Sequence, residues 1–420
     1  MPTRLDAVIV GAGPAGASAA ILLARAGWSV ALVEKTPFPR RKVCGECISA
    51  GSFPLLEALG LGPAIQASAG ADLRQVAWMR GNRSIVAPLP AAAHAIHLWG
   101  RALGRESLDT LLLAQARAAG AAVWQPWAVQ SIEGSAGDWR FEMRGQGPTS
   151  SETLRAPGAI LALGSWEPLP AARPRRRLAR RAGDLFAFKA NFRQAPLDEG
   201  LLPVLSFDGG YGGMVVADRG LTTLACCIRR DRLDACRRAS PGLGAGEVIE
   251  DLLRRECAGV HMALRGAQRE GPWLAAGPLA TGIHLRADDA MFRIGNAAGE
   301  AHPIIGEGMS MALQSAALLC AHLLERGHPA NLSDAAWQRE VAHRYAAQWR
   351  RAFGPRLRRA ALLAHLAIRP ASANLLMALV HRWPGLLTLG ARWSGKARSA
   401  AVPPGARASS PTTTHTKVYP

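Results

Sequence analysis

The chain has only five lysines and three tyrosines in 420 residues, so its formal charge of +19 rests almost entirely on arginine. The arginines are spread along the whole sequence. No zinc-finger spacing, RNA-binding aromatic motif or basic heptad accompanies them, which argues against a nucleic-acid partner. An anionic small ligand or an acidic lipid surface suits the charge better. No run of about 18 apolar residues is free of charge or proline, so no spanning helix is expected. No internal repeat and no metal-ligand set is evident. No apolar leader precedes the first core strand, and the seven cysteines, an odd number, form no disulfide framework. Free thiols and a reducing cytoplasm are the expectation. A chain of 420 residues calls for two domains, or for one large domain with an inserted lobe.

What is present is patterned. LDAVIV at residues 5–10 is a continuous apolar run; GAGPAG, a helical ASAAILLARAG and the strand-like WSVALVEK follow. Together they make a βαβ unit of about 30 residues. A basic, turn-rich segment, TPFPRRKVCGECISAGSF, comes next. Helices are predicted at LLEALGL and GRESLDTLLLAQARAAG, and strands at AAVWQPWAVQSIEG and at AILALG, residues 159–164. From about residue 170, beyond the charged Arg173–Arg181 connector, strands alternate around glycine turns in antiparallel fashion. DAMFRI then returns to a buried, parallel-type strand. The expected fold is α/β. A Rossmann-like domain spans residues 1–169 and 286–330, and a β-sheet substrate lobe is inserted at 170–285. A C-terminal helical segment at 331–400 and a disordered tail at 401–420 complete it.

Gly11, Gly13 and Gly16 form G-x-G-x-x-G between a strand and a helix, and Glu34 ends the next strand about 20 residues on. Gly11 allows the tight turn, Gly13 the approach of a diphosphate, and Gly16 close helix–strand contact. The helix N-terminus, with Ala15 in its first turn, offers unpaired N–H groups to phosphate oxygens. Glu34, beside Lys35, can accept hydrogen bonds from a ribose diol and would repel a 2′-phosphate, which leaves FAD or NAD. About 290 residues later a second glycine-rich crossing, IGNAAGEAHPIIGEGMSMAL, again joins a strand to a helix. A plain NAD enzyme has no use for it, whereas FAD has a ribityl chain and a ring system still to be held. Gly295 and Asn296 lie at the strand end, where Asn296 can bond to ribityl or diphosphate oxygens. Gly306 and Gly308 let backbone amides reach the ring edge. The helix that begins near Met309 aims its positive end at the ring.

GAGPAG…VEK and GNAAGEAHPIIGEGMSMAL resemble the two FAD-binding signatures of the superfamily containing aromatic hydroxylases, geranylgeranyl reductases and flavin-dependent halogenases. RKVCGECIS and DLFAFKANF…GGYGG are similar to segments of the reductase branch. The resemblance covers roughly residues 5–325. It implies a glutathione-reductase type of FAD-binding domain, with Arg105 on the flavin side of the cofactor and Val129 beside its adenine. The chain departs from aromatic hydroxylases at Gly295-Asn296, where they carry G-D, and at ALGSWEP, where they carry D-G. It also lacks the W-x-W-x-I-P run of tryptophan halogenases.

Three uses stand open for Cys44 and Cys47, which make a C-x-x-C. They are a redox dithiol, a Cys44 thiol at the flavin face that shapes the pocket or relays a proton, and two small buried apolar groups. Glu46 and His302 are the acid–base candidates, unless Glu46 pairs with Arg40 or Arg41 and His302 caps a turn. The basic, apolar C-terminal helices can lie on a membrane surface, roof a lipophilic pocket, or simply pack on the core. The expected activity is FAD-dependent oxidation–reduction with NAD(P)H as a transient reductant, since no second nucleotide fingerprint is visible. The substrate is a small lipophilic polyketide- or isoprenoid-like molecule. Monooxygenation leads, C=C reduction follows, and a halogenase or a non-catalytic lipid carrier trails.

Overall fold

The computed structural model describes residues 4–92, 97–147, 150–165, 181–286, 291–325 and 327–393. Most of the Arg173–Arg181 connector and all of the tail expected at 401–420 lie outside them.

Five strands form a wholly parallel sheet, in the order Phe292–Arg293, Gly158–Leu161, Ala7–Val10, Val30–Val33 and Ala122–Trp124. The three longest, AVIV, VALV and GAIL, are buried at every position. Side chains alternate between the two faces of a strand. Ala7, Ile9, Val30, Leu32 and Ile160 therefore join the core built around helices Pro14–Arg25 and Gly308–Glu325. Val8, Val10, Ala31 and Val33 face the other way, against Ile132, Trp139, Phe141 and Met143 of a three-stranded antiparallel sheet. Covering both faces is what allows a parallel sheet to be uniformly apolar.

The inserted lobe is an eight-stranded sheet with Leu185–Arg193, Thr222–Arg229, Gly210–Val216 and Leu201–Phe207 at its centre. One face carries Phe188, Phe192, Leu224 and Ile228 and packs under the helices Arg230–Ala239, Ala245–Glu256 and Ala258–Ala263. Position parity sends Ala187, Lys189, Thr223, Ala225 and Cys227 to the opposite face, toward the dinucleotide domain. This sheet corrects the boundary expected at residue 169. Gln75–Arg80 pairs in parallel with Leu201–Phe207, and Arg83–Pro88 extends the edge, so two strands from the first part complete the second lobe. Non-local pairing of this kind leaves no mark on local periodicity.

The 34-residue helix Ala335–Ile368 carries Pro355 within it and runs across both units. Its Tyr345 hydroxyl donates to the Arg293 carbonyl at 2.8 Å and meets Ser315 Oγ at 2.9 Å, while Ser315 Oγ accepts from the Gly295 amide at 3.1 Å. These bonds hold the second glycine-rich crossing against its helix. A bend of 99° separates this helix from Pro370–Arg382, and Gly385–Trp393 ends the described chain. Among the described residues, no single helix is long and apolar enough to cross a membrane.

Candidate FAD and substrate site

The first glycine turn has its shape for steric reasons. Gly11 sits at φ +102°, and a Cβ there would lie 2.5 Å from the Ala162 carbonyl oxygen. A Cβ on Gly16 would lie 1.8 Å from the Gly11 carbonyl oxygen, so only glycine lets helix and turn touch. Gly13 is different. Its backbone is extended, and the nearest atom to an added Cβ is Arg105 Nη2 at 3.6 Å. Pro14 opens the helix, and no side chain caps it, so its first-turn amides are left for a ligand.

One continuous cavity of about 510 Å³ starts at this turn and ends against the inserted sheet. Of the residues singled out in the sequence, Gly11, Gly13, Ala15, Glu34, Lys35, Cys44, Glu46, Arg105, Val129, Gly295, Asn296, Gly306, Gly308 and Met309 all line it. Gly16 and His302 do not. Gly16 is a packing position, and His302 stands behind the wall.

Glu34 is buried. Its carboxylate accepts from the Ala12 amide at 3.0 Å and the Thr36 amide at 2.9 Å, with Arg40 Nη2 at 3.2 Å. Two carboxylate oxygens carry about four acceptor directions, so a diol can still be received. Arg105 makes a two-pronged bond to buried Asp109, both arms at 2.7 Å, which raises the already high pKa of the guanidinium despite its burial. That clamp holds Arg105 opposite Gly13, at the diphosphate turn. Asn296 Nδ2 donates to Ser165 Oγ at 2.7 Å, placing the amide at the second crossing. Gly295 and Gly306 sit at φ +60° and +63°, which suits their sharp turns. An FAD fits these residues: an uncapped helix start for its diphosphate, a buried carboxylate for its ribose, and a second glycine-lined turn for its ring.

Two acid–base expectations need correction. Glu46 pairs with neither Arg40 nor Arg41. It sits at φ +57°, almost fully buried, bonded to Lys189 Nζ, Thr223 Oγ1 and the Arg105 amide at 3.0 Å. A carboxylate so engaged positions its loop and is not a free proton donor. His302 bridges Tyr211 and Thr281, each hydroxyl 3.3 Å from a ring nitrogen, and burial lowers its pKa. The neutral ring reaches the cavity only through Tyr211, whose hydroxyl burial holds well above the usual phenol range. Cys44 and Cys47 are in no disulfide, and both line the cavity. Burial raises the Cys44 pKa and Glu46 adds to it, whereas Arg105 and Lys189 pull it down. A half-buried thiol held in its protonated form is a poor partner for disulfide exchange.

Glu300 was overlooked in the sequence although it stands inside the second crossing. It is 4% exposed and lines the cavity, where Oε1 accepts from Ser165 Oγ at 2.9 Å and Oε2 has no hydrogen-bond partner. Burial raises its pKa, opposed by Ser165, His284 and the Ala280 amide. Its only sequence signal is an acidic residue in an apolar, turn-rich stretch. Lys189, the sole lysine of an apolar strand, carried a similar signal.

The family model described as "FAD binding domain" matches residues 4–330. Among curated proteins, the chain is 48% identical over 61 residues to a menaquinone reductase of Mycolicibacterium smegmatis, covering 14% of this chain and 15% of the relative. It is 31% identical over 133 residues to a tryptophan 2-halogenase of Chondromyces crocatus, covering 32% of this chain and 25% of the relative. The matches thus span a quarter or less of either relative's length. Among solved structures, a geranylgeranyl bacteriochlorophyll reductase-like protein of Thermoplasma acidophilum superposes with a TM-score of 0.69 at 17% identity, covering 93% of this chain and 99% of that one. At that identity the likeness is one of fold.

Proposed function

Since this chain belongs to the FAD binding domain family, we propose that it is an FAD-dependent oxidoreductase, an NAD(P)H-dependent monooxygenase of a lipophilic polyketide- or isoprenoid-like substrate. The observation that supports this most is the buried Glu300 carboxylate in the cavity wall, whose Oε2 is an acceptor without a donor. Ala187, Leu202, Val204, Ala225, Leu279 and Ile304 supply the apolar walls.

Bound FAD, reduced by a transiently docked nicotinamide, supplies the redox chemistry. The chain's own residues do the rest. The amides of the first glycine turn and Arg105 hold the diphosphate, Glu34 the ribose, and Asn296 the second crossing. The apolar walls exclude water from the reacting centre. Glu300 binds a phenolic or enolic hydroxyl and accepts its proton, which makes the adjacent carbon electron-rich and open to electrophilic oxygen. A carboxylate of raised pKa is suited to that exchange near neutral pH.

A second reading, C=C reduction, draws on Tyr211. Its hydroxyl keeps its proton, borders the cavity and is backed by His302, an arrangement able to protonate a carbon. The short match to a menaquinone reductase lends this reading a lipophilic precedent.

The deciding experiment incubates flavin-loaded protein with NADH or NADPH and long-chain phenols or polyprenyl compounds under air. A product heavier by one oxygen supports the first reading, and one heavier by two hydrogens the second. Incorporation of chlorine from added chloride overturns both. No substrate-stimulated NAD(P)H oxidation across the panel would make the protein a carrier.

A further inference from the structure

We propose that the outer face of helices Pro370–Arg382 and Gly385–Trp393 docks on an anionic lipid bilayer. Eleven large apolar side chains are exposed on the described residues, and six of them fall between residues 362 and 389. Leu375 is 64% exposed, Trp383 54% and Leu389 48%. Leu375, Leu379 and Arg382 recur at helical spacing on one face of their helix, while Ala373, Met377 and Val380 bury the other. Leu386 and Leu389, three positions apart, continue the exposed face onto the last helix. Single exposed leucines need no explanation, but a contiguous set marks a contact surface.

Charge selects the partner. No acidic residue follows Glu340 anywhere in the sequence, whereas Arg358, Arg369, Arg382 and Arg392 are exposed around the patch. Arg382 lies over the Trp383 ring at 5.7 Å, which places a cation and an indole together at the rim. Apolar side chains bordered by arginine and tryptophan match the boundary between acyl chains and acidic headgroups. The 99° bend between the long helix and Pro370–Arg382 lets the helix pair lie across the body of the protein.

The face is also firmly mounted. Asn374 Oδ1 accepts from Arg80 Nε at 2.8 Å, and Thr388 Oγ1 donates to the Pro88 carbonyl at 2.8 Å. Leu387 and Ala391 pack inward against the cluster containing Leu202 and Val204, both of which line the cavity. The docking face is therefore one layer away from the chamber wall, a short path for a molecule dissolved in the bilayer.

The test is co-sedimentation of flavin-loaded protein with vesicles of phosphatidylglycerol and phosphatidylcholine, or of phosphatidylcholine alone, at low and high salt. The expected result is binding to the anionic vesicles that weakens with salt, and a loss of about tenfold or more in L375E/L379E. The visible flavin spectrum of that variant should be unchanged. R382E/R392E, which leaves the helix packing untouched, should lose binding to the same vesicles. Equal sedimentation with and without vesicles, or variants that bind like the parent, overturns the proposal. So does a concentration-dependent dimer that L375E/L379E dissociates, which would make the face a contact between copies.

Discussion

Lys189 and Glu46 stand 143 positions apart in the chain and meet as an ion pair that is 1% and 2% exposed. Lys189 comes from the inserted sheet and Glu46 from the loop that follows the second parallel strand. Thr223 bonds the same carboxylate, so two strands of the lobe grip one loop of the dinucleotide domain. The loop also carries Cys44 and Gly45 into the cavity wall. The pair thus sets the distance between the cofactor cradle and the substrate sheet.

Removing one partner leaves the other as a buried, uncompensated charge. Glu46→Gln and Lys189→Met should each lower unfolding stability by about 3–5 kcal/mol. The double variant should lose less than the sum of the two, because it leaves no uncompensated charge and the glutamine oxygen can still accept from the Thr223 hydroxyl or the Arg105 amide. Denaturant titration of the three variants measures the coupling; strictly additive losses would mean the pair is not a unit.

Gly13 and Gly16 belong to the same motif but should fail in different ways. Gly16→Ala forces a Cβ into the Gly11 carbonyl and should destabilise the fold by about 3 kcal/mol or more. Gly13→Ala makes only an ordinary contact with the Arg105 guanidinium, at 3.6 Å, and should leave the melting temperature within about 2 °C of the parent. Its methyl group intrudes where the diphosphate approaches, so flavin affinity should fall by about tenfold or more. Melting curves and flavin fluorescence titration separate the two effects.

Glu300 makes stability fall as pH rises. Its folded pKa lies above 4.5, so the folded protein holds this proton more tightly than the unfolded chain does. The resulting stabilisation is full below about pH 4.5 and is lost as pH climbs through the folded value. Glu300→Gln is neutral throughout. Its melting temperature relative to the parent should rise with pH above 4.5 and level off once the folded value is passed, and a flat difference throughout would place Glu300 outside the titrating set. Under the proposed function the same variant also loses the acidic limb of kcat/KM.

His302 has the opposite sign. Burial lowers its pKa below 6.5, so the unfolded chain takes up the proton first as pH falls. Its contribution to stability is present above about pH 6.5 and is lost as pH drops toward the folded value. His302→Gln should therefore be less acid-sensitive than the parent between pH 6.5 and 5, as read by melting temperature. An unchanged slope would mean that the folded and unfolded chains take up the His302 proton equally.

The sequence alone determined the cofactor cradle. A glycine turn after an apolar strand, an acid about 20 residues on, and a second glycine crossing all rest on short-range constraints. These are where a Cβ cannot fit, which backbone amides stay unpaired, and how a parallel strand buries both faces. Gly11, Gly13, Glu34, Asn296 and Gly306 were legible for that reason, as was the parallel sheet they serve. Tertiary structure alone decided what surrounds the cradle. Only pairing across more than a hundred residues brings Gln75–Arg80 into the inserted sheet, ties Glu46 to Lys189 and turns His302 away behind Tyr211. The free energy of a buried charge depends on what lies within a few ångströms of it, and adjacency in space is not written in adjacency along the chain.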